Sequence, residues 1–321
     1  MRAMWLRASV LCVTLVTLYT HLTPLAQAEE RPEERPEEHP EKSSSERPSE
    51  PPPAAWRHAH MLAARANPPG LVLDNTLGYE LKLRHLYGAE ERHPLLGPTR
   101  GLIAGRALLT PQSAQLGPLL RATPLTVLEL QLSALYALPS TGVARARRSQ
   151  LSDAATLASI NIDEGGADAI QTRGWLLSAQ ATLQLKVRRL AVRSAHQIRA
   201  SLLRPEGSTG TFYDQNFDVI TPFRSLLYQA ETDAVYLSPD DAWLLGLRHT
   251  YTLPLAAGAG RVERLGPIFL WNITQERPGV GGKHSLVVLS QWHLQHSRRA
   301  GQEVSAWVPY FAVAYLMQGG L

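Results

Sequence analysis

Hydrophobic and polar residues alternate strictly along several long segments of the chain. In residues 71–83 the odd positions are mainly leucine, whereas the even positions include Asp74, Glu80 and Lys82. A β-strand places successive side chains on opposite faces, so such a segment has one apolar face and one charged face. The same alternation recurs in residues 172–187, 223–237 and 242–254.

Ten strands are predicted from this pattern. Most of them run for about 12 to 17 residues, whereas strands of soluble sheets average about five or six. A strand that crosses a membrane needs roughly 9–11 residues, with extensions at each rim. The predicted strands are 71–87, 98–110, 120–138, 172–187, 190–203, 223–237, 242–254, 262–274, 284–296 and 303–317.

The connections between the predicted strands are asymmetric. The long ones, residues 139–171 and 204–222, fall on one side, whereas the short ones at 188–189 and 238–241 fall on the other. Short turns on one side and long loops on the other are typical of outer-membrane barrels, and closure leaves no strand edge unpaired. We therefore predict an all-β, antiparallel transmembrane β-barrel of about 10 strands, with 8 or 12 as alternatives.

The chain begins with the pattern of a secretory signal. Arg2 and Arg7 precede an apolar stretch over residues 8–26, and Ala26-Gln27-Ala28 offers a cleavage site after Ala28. A linker rich in Glu, Pro and Ser follows at 29–53, and its composition predicts disorder. We expect a short helix or further linker at 54–70 and the barrel at 71–321. The predicted location is the bacterial outer membrane.

Composition narrows the chemistry of the chain. Its single cysteine, Cys12, lies within the signal, so the mature part has no disulfide and no thiolate. No basic stripe with interleaved aromatic residues is present, so we expect no nucleic-acid partner. We also expect no cofactor and no metal, because no regular spacing of ligands is found.

At the level of architecture, the chain resembles bacterial outer-membrane β-barrel proteins as a class. The resemblance covers the signal, residues 1–28, and the alternating segments from Leu71 to Met317, and it includes no motif of a functionally defined family. Tryptophans near the predicted strand ends agree with an aromatic girdle at the membrane surface: Trp175, Trp243, Trp271 and Trp307. The resemblance implies outer-membrane lipid, lipopolysaccharide and the barrel-assembly machinery as partners, and the linker could reach the cell wall.

If the leucines face lipid, the charged residues of the same strands face the lumen. A barrel of about eight strands is nearly filled by side chains, and one of 16 to 18 encloses a channel. Charges of both signs in a narrow lumen predict ion pairs and a plugged or narrow barrel. The predicted lumen-facing charged residues are Glu80, Lys82, Arg84, Glu129, Lys186, Arg193, Arg199, Glu231, Asp233 and Arg248.

A second candidate site lies where a predicted strand ends. His293, His296, Ser297 and Glu303 could form a set of base, nucleophile and acid at the barrel rim, which resembles that of lipid A deacylase barrels. Regular alternation places His293 and His296 on opposite faces of the strand, and Arg298 stands where that family has Asn. We therefore predict a polar strand end here and no catalytic residues.

The sequence thus predicts an outer-membrane barrel with a structural or narrow-pore transport role and no enzymatic activity. Two alternatives remain at this point. One is an outer-membrane lipid hydrolase that uses His296 and Ser297, and the other is a soluble periplasmic ligand-binding barrel.

Overall fold

A computed structural model describes most of the chain beyond residue 53. The described residues are 54–66, 70–83, 99–110, 113–138, 146–149, 169–170, 172–205, 211–214, 216–256, 260–274, 282–296 and 308–320. The predicted signal, the predicted linker, Arg84, Ser297, Glu303 and Trp307 lie outside them. Among the described residues, no helix is long and apolar enough to span a membrane.

The described residues form sixteen strands. Their bounds are β1 Ala54–Ala66, β2 Gly70–Lys82, β3 Arg100–Thr110, β4 Ser113–Leu125, β5 Leu128–Leu138, β6 Ala146–Ser149, β7 Ala169–Ile170, β8 Thr172–Val187, β9 Leu190–Pro205, β10 Thr211–Asp214, β11 Val219–Pro222, β12 Arg224–Leu237, β13 Trp243–Pro254, β14 Val262–Thr274, β15 Lys283–His296 and β16 Tyr310–Gly320. Twelve of them close a barrel in the order β1-β16-β15-β14-β13-β12-β9-β8-β5-β4-β3-β2, and every neighbouring pair is antiparallel. The other four form a small sheet in the order β11-β10-β6-β7.

The all-β antiparallel barrel is confirmed, with twelve strands, one of the alternative counts. One extra strand arises because the segment predicted as 120–138 is a hairpin, in which β4 turns at Thr126-Val127 into β5. The other is β1, which replaces the helix or linker expected at 54–70 and pairs with both β16 and β2. Backbone hydrogen bonds to a neighbouring strand on each side stabilise this segment as a strand, although apolar and polar residues do not alternate regularly in its sequence.

The two ends of the barrel differ in their connections. One end, here called the turn end, carries the two-residue turns 126–127 and 188–189 and the turn 238–242. In the last of these, the Ser238 hydroxyl donates a hydrogen bond to the exposed Asp240 carboxyl, and the Ala242 amide donates a second one with a smaller effect. Both lower the pKa of that carboxyl below its usual range. The opposite end, here called the loop end, carries the small sheet and the connections between β5 and β8 and between β9 and β12.

The outer surface of the barrel is apolar. Leu77, Leu183 and Leu247 remain 50%, 53% and 53% exposed on it. Aromatic pairs lie near both ends of the strands: Trp56 with Tyr79 and Tyr236 with Trp243 near the turn end, and Tyr136 with Trp175 near the loop end. Large apolar side chains thus face the surroundings of the protein, whereas in a water-soluble protein they would fill its core.

Candidate functional site: the lumen and its mouth

An ion-pair network lines one wall of the lumen along the adjacent strands β9, β12 and β13. Asp233 is buried, and Arg248 donates to it from Nε at 2.6 Å and from Nη2 at 2.9 Å. Arg193 adds a bond to the same carboxylate at 3.3 Å, and Glu231 lies 3.8 Å from Arg248. Four of the predicted lumen residues therefore lie in one cluster, where each buried charge has an opposite charge beside it.

A second group of ion pairs lines the opposite wall of the lumen. Glu80 lies 3.6 Å from Arg57 and 3.8 Å from Arg100, so β2 is tied to both of its neighbours. Farther from the turn end, Arg106 donates to Asp74 at 2.9 Å. On β4 and β5, Arg121 and Glu129 lie 3.7 Å apart.

The remaining predicted lumen residues lie elsewhere. Lys186 is at the turn end, where it is half-exposed and lies 3.6 Å from Asp241 of the neighbouring turn. Lys82 is partly buried at the end of β2. Arg199 is deep in the mouth at the loop end, where it contacts a part of the chain that the sequence predicted to be an outer loop.

That part of the chain folds into the barrel mouth. We call it the mouth hairpin: β10, β11 and the described turn residues 216–218 between them. Its residues Phe212, Val219 and Ile220 are buried to 7%, 3% and 3% exposure. The sequence carried one signal for this, because apolar side chains such as Val219 and Ile220 interrupt an otherwise polar segment.

Two apolar clusters hold the mouth hairpin against the inner wall of the barrel. Phe212 stacks on Phe223 with ring centroids 5.1 Å apart, and both pack on inward residues of β5, β8 and β9. Val219 and Phe217 pack on Leu227 of β12 and Val262 of β14. Burial on both sides places the hairpin across the mouth rather than out in solvent.

Polar contacts fix the same hairpin at its turn. Arg199 of β9 donates to Asp214 in a buried ion pair, and its guanidinium lies 4.1 Å from the ring centroid of Phe217. From β1, Arg65 donates to the carbonyl of Asn216 at 3.2 Å and to its side-chain oxygen at 3.3 Å. The hairpin therefore contacts strands that lie far apart around the barrel.

A third fastening comes from β15 and differs from the sequence prediction. The pairing of β14 with β15 shifts between Glu263 and Arg264, because Arg264 opposes His293 while Glu263 opposes Gln295. The extra residue reverses the alternation beyond it, so His296 faces the lumen together with His293. The prediction that these two histidines occupy opposite faces is wrong, since a bulge leaves no mark in the spacing.

Both histidines meet Asp218 of the mouth hairpin. The Nε2 atoms of His293 and His296 lie 3.4 Å and 3.2 Å from Asp218 Oδ2. All three side chains are nearly inaccessible, with exposures of 2%, 4% and 1%. Asp218 has a left-handed backbone, with φ 58°. Arg264, opposite His293, is buried and lies over the ring of Tyr310.

Outside the lumen, three arginines stand at the loop end of adjacent strands. We call Arg173, Arg204 and Arg224 the arginine rim. They line a groove of about 470 Å³ together with Tyr136, Trp175 and Leu202. At its base, Gly174 has φ 148°, and a Cβ there would lie 2.2 Å from the Leu202 carbonyl oxygen, so only glycine fits.

A closed antiparallel barrel with an apolar exterior and a charged lumen is the architecture of bacterial outer-membrane β-barrel proteins. No family model and no curated protein matches the chain. Solved structures that it is similar to include OmpT, an outer membrane protein of Vibrio cholerae, with 7% identity, a TM-score of 0.35 and coverage of 84% of this chain and 97% of that one.

Two further similar structures come from Pseudomonas aeruginosa. OpdK with vanillate has 10% identity and a TM-score of 0.27, with coverage of 84% of this chain and 98% of that one. A FadL homologue has 10% identity and a TM-score of 0.30, with coverage of 83% and 67%. Similarity at this level carries no argument about function, and the class of the fold follows from the twelve paired strands themselves.

Proposed function

We propose that the protein spans the bacterial outer membrane as a narrow pore whose mouth is constricted by the mouth hairpin. The observation that carries the membrane assignment is the contrast between the two sides of each strand. On β13, Leu247 is 53% exposed on the outer surface, whereas its neighbour Arg248 lies in the lumen among carboxylates. In lipid the leucines contact hydrocarbon, which is favourable. In water they would form a large exposed apolar surface that promotes aggregation.

The same contrast argues against the two alternatives. A soluble periplasmic barrel would expose its leucines and tryptophans to water on all sides. A lipid hydrolase would need His296 at the lipid surface, but its imidazole lies inside the mouth against Asp218. We therefore assign no reaction to this chain.

The narrow character of the pore rests on two obstructions. The network around Asp233 places four charged side chains in the half of the lumen toward the turn end, and the mouth hairpin fills the loop end with buried apolar side chains. Twelve strands enclose more room than an eight-stranded barrel, which side chains nearly fill, so an inward-folded segment is needed to restrict this lumen. A solute that passes must pass between the hairpin and the wall.

Planar bilayer recordings on the purified, refolded protein test this function. We expect small, discrete conductance steps at physiological salt. Large steps typical of general porins would contradict the constriction. Complete silence of the wild type and of a variant without the mouth hairpin would favour the structural role over the pore.

We further propose that the arginine rim binds the phosphate groups of lipopolysaccharide, which places the loop end at the cell surface. Arg173 and Arg204 are directly opposite in the pairing of β8 with β9, and like charges in that position repel each other. Among the described residues, none of the three rim arginines is in an ion pair with a carboxylate. A bound phosphate would neutralise the repulsion and accept bidentate hydrogen bonds.

An apolar groove lies below the rim on β4, β5, β8 and β9. It measures about 420 Å³, and its lining residues other than Ser133 and Ser178 are apolar: Pro118, Leu120, Leu132, Ala134, Leu177, Ala179, Ile198 and Ala200. Between this groove and the rim lies Trp175, in edge contact with Tyr136, as expected at a membrane interface. The arginine rim, the pair of aromatic rings and the apolar groove thus follow one another from the loop end toward the middle of the strands. This order matches an amphiphile with phosphate groups at one end and acyl chains at the other.

A binding comparison tests this assignment. Arg173→Gln/Arg204→Gln should weaken retention of lipopolysaccharide by the purified protein at least about tenfold, because two charge-assisted contacts are lost. The matched control is Arg121→Gln, which removes a lumen arginine and should leave retention unchanged. Competition by inorganic phosphate separates a lipid site from a free-phosphate site, and equal retention by both variants would contradict the proposal.

A further inference from the structure

We propose that Asp218, His293 and His296 form a binding site for a divalent transition metal of the zinc type, which fastens the mouth hairpin to β15. The sequence predicted no metal site, because it shows no regular spacing of ligands, and regular alternation places the two histidines on opposite faces of the strand. The bulge at Leu294 removes that obstacle. This inference does not depend on the pore or on the membrane assignment.

Two of the three spacings between the donor atoms match a tetrahedral ion. Zinc bonds of about 2.0–2.1 Å to nitrogen and oxygen put neighbouring ligand atoms about 3.3–3.4 Å apart. The two contacts from Asp218 to the histidines measure 3.4 Å and 3.2 Å, and all three donor atoms lie within 4.8 Å of one another. The rings of His293 and His296 are tilted by 64°, so their nitrogens approach one point from different directions.

The donor set also fits the chemistry of such an ion. Two imidazoles and one carboxylate are ligands that suit zinc, copper, nickel and iron, whereas calcium and magnesium prefer all-oxygen sites. Three protein ligands leave a fourth position for water. The site is enclosed, because Val219 follows Asp218 in the hairpin and Val262 opposes His296 in the sheet, and both valines are buried.

Chain topology shows what a bound ion would do. Asp218 lies in the mouth hairpin, whereas both histidines lie on one barrel strand, so the ion would join a connection to the wall. The hairpin already touches β9 through Asp214 and β1 through Asn216. A metal bond at β15 adds a third point of attachment, and three points prevent the hairpin from rotating out of the mouth.

Zinc titration of the full-length, tag-free protein in detergent, in competition with a chromogenic chelator, tests the site. We expect one ion per chain in the wild type. Asp218→Asn, His293→Gln and His296→Gln should each bind zinc at least about tenfold more weakly, since loss of a ligand exceeds the loss caused by second-shell changes. The control is His196→Gln, which changes an exposed histidine of the outer surface that is bonded to Tyr228 and should not alter the affinity.

Asp218→Asn keeps the shape of the side chain, and asparagine tolerates the left-handed backbone at this position. Its heat-modifiable migration on gels verifies that the barrel has formed. Hydrogen exchange of residues 211–223 should slow on zinc addition in the wild type and remain unchanged in this variant. X-ray absorption of the zinc-loaded wild type needs no variant and should report two imidazoles.

Two results would overturn the assignment. One is a wild type that binds zinc no more tightly than its Asp218→Asn variant, which would make the cluster a set of hydrogen-bonded side chains only. The other is an absorption spectrum without two histidine ligands, which would place the ion elsewhere on the chain.

Discussion

The two halves of the lumen are built by different physical means. In the half toward the turn end, ion pairs line the wall and remain partly wet, as the exposures of Arg57, Arg100 and Arg193 show, at 38%, 57% and 39%. In the mouth, Asp214, Asp218 and Phe212 are all less than 10% exposed, and a hairpin excludes water. We therefore expect water to enter the lumen more readily from the turn end than from the mouth.

Removing the mouth hairpin should have the largest effect on this difference. If residues 206–222 are replaced by a short Gly/Ser linker, the mouth loses its filling and becomes as wet as the turn end. We expect single-channel conductance to rise several-fold, measured in planar bilayers. Unchanged conductance, with the barrel intact by heat-modifiable migration, would show that the constriction lies elsewhere, in the network around Asp233.

Phe223→Ala should release the hairpin without deleting it. The change removes the ring that stacks on Phe212 and leaves a cavity in a buried cluster, which costs about 3–5 kcal/mol for a buried phenylalanine. Hydrogen exchange and limited proteolysis of residues 211–223 should accelerate, while the barrel strands keep their protection. Phe269→Ala, a change on the outer surface, is the control and should leave the hairpin protected.

Asp233→Asn should destabilise the lumen wall around β12. The substitution removes the carboxylate that the largely buried Arg248 binds at 2.6 Å and leaves it only Glu231 at 3.8 Å, and breaking a buried ion pair costs about 3 kcal/mol or more. The measurement is the free energy of unfolding in urea with lipid present.

The matched control is Glu129→Gln. Its partner Arg121 is 41% exposed, so the pair is wet and worth less than about 1 kcal/mol. Equal losses in the two variants would mean that the two ion pairs are equally hydrated, against the gradient of burial described above.

Leu247→Arg should have a smaller effect, and it addresses the outer surface. An arginine on the lipid face near the middle of the membrane costs about 2–4 kcal/mol. Gln180→Arg, on the lumen side of β8, should cost much less because the new charge can reach water or a carboxylate. Folding titrations into lipid vesicles measure both, and a Leu247→Arg variant as stable as the wild type would contradict lipid contact at this position.

The sequence predicted those parts of the structure that depend on alternation alone. Leu183 and Leu247 lie on the outer surface because every second side chain of a strand must point the same way. Closure of the sheet then places the opposite side chains in a confined space, so Arg248 and Asp233 form an ion pair there. The pairing follows from geometry and electrostatics, without any motif.

Three features could not be predicted in this way. Strand β1 carries Arg57 and Arg65 toward the lumen but His58 and His60 outward, so its two faces show little contrast. The turn at Thr126-Val127 contains no glycine or asparagine to mark it. The bulge at Leu294 depends on the pairing of β15 with β14, and it turns His296 toward the lumen, where the mouth hairpin places Asp218.

The measurement that tests the membrane assignment most directly is a scan of single cysteines along β13. The one cysteine of the chain, Cys12, lies in the predicted signal, so in protein that lacks Cys12 spin labels can be placed one at a time at residues 244–250 and the protein reconstituted in lipid. Labels at odd positions such as Leu245 and Leu247 should be accessible to oxygen dissolved in the bilayer. Labels at even positions should be accessible to a water-soluble nickel reagent, or shielded from both the reagent and oxygen. Odd positions that are shielded from oxygen, with even positions free in bulk water, would contradict it.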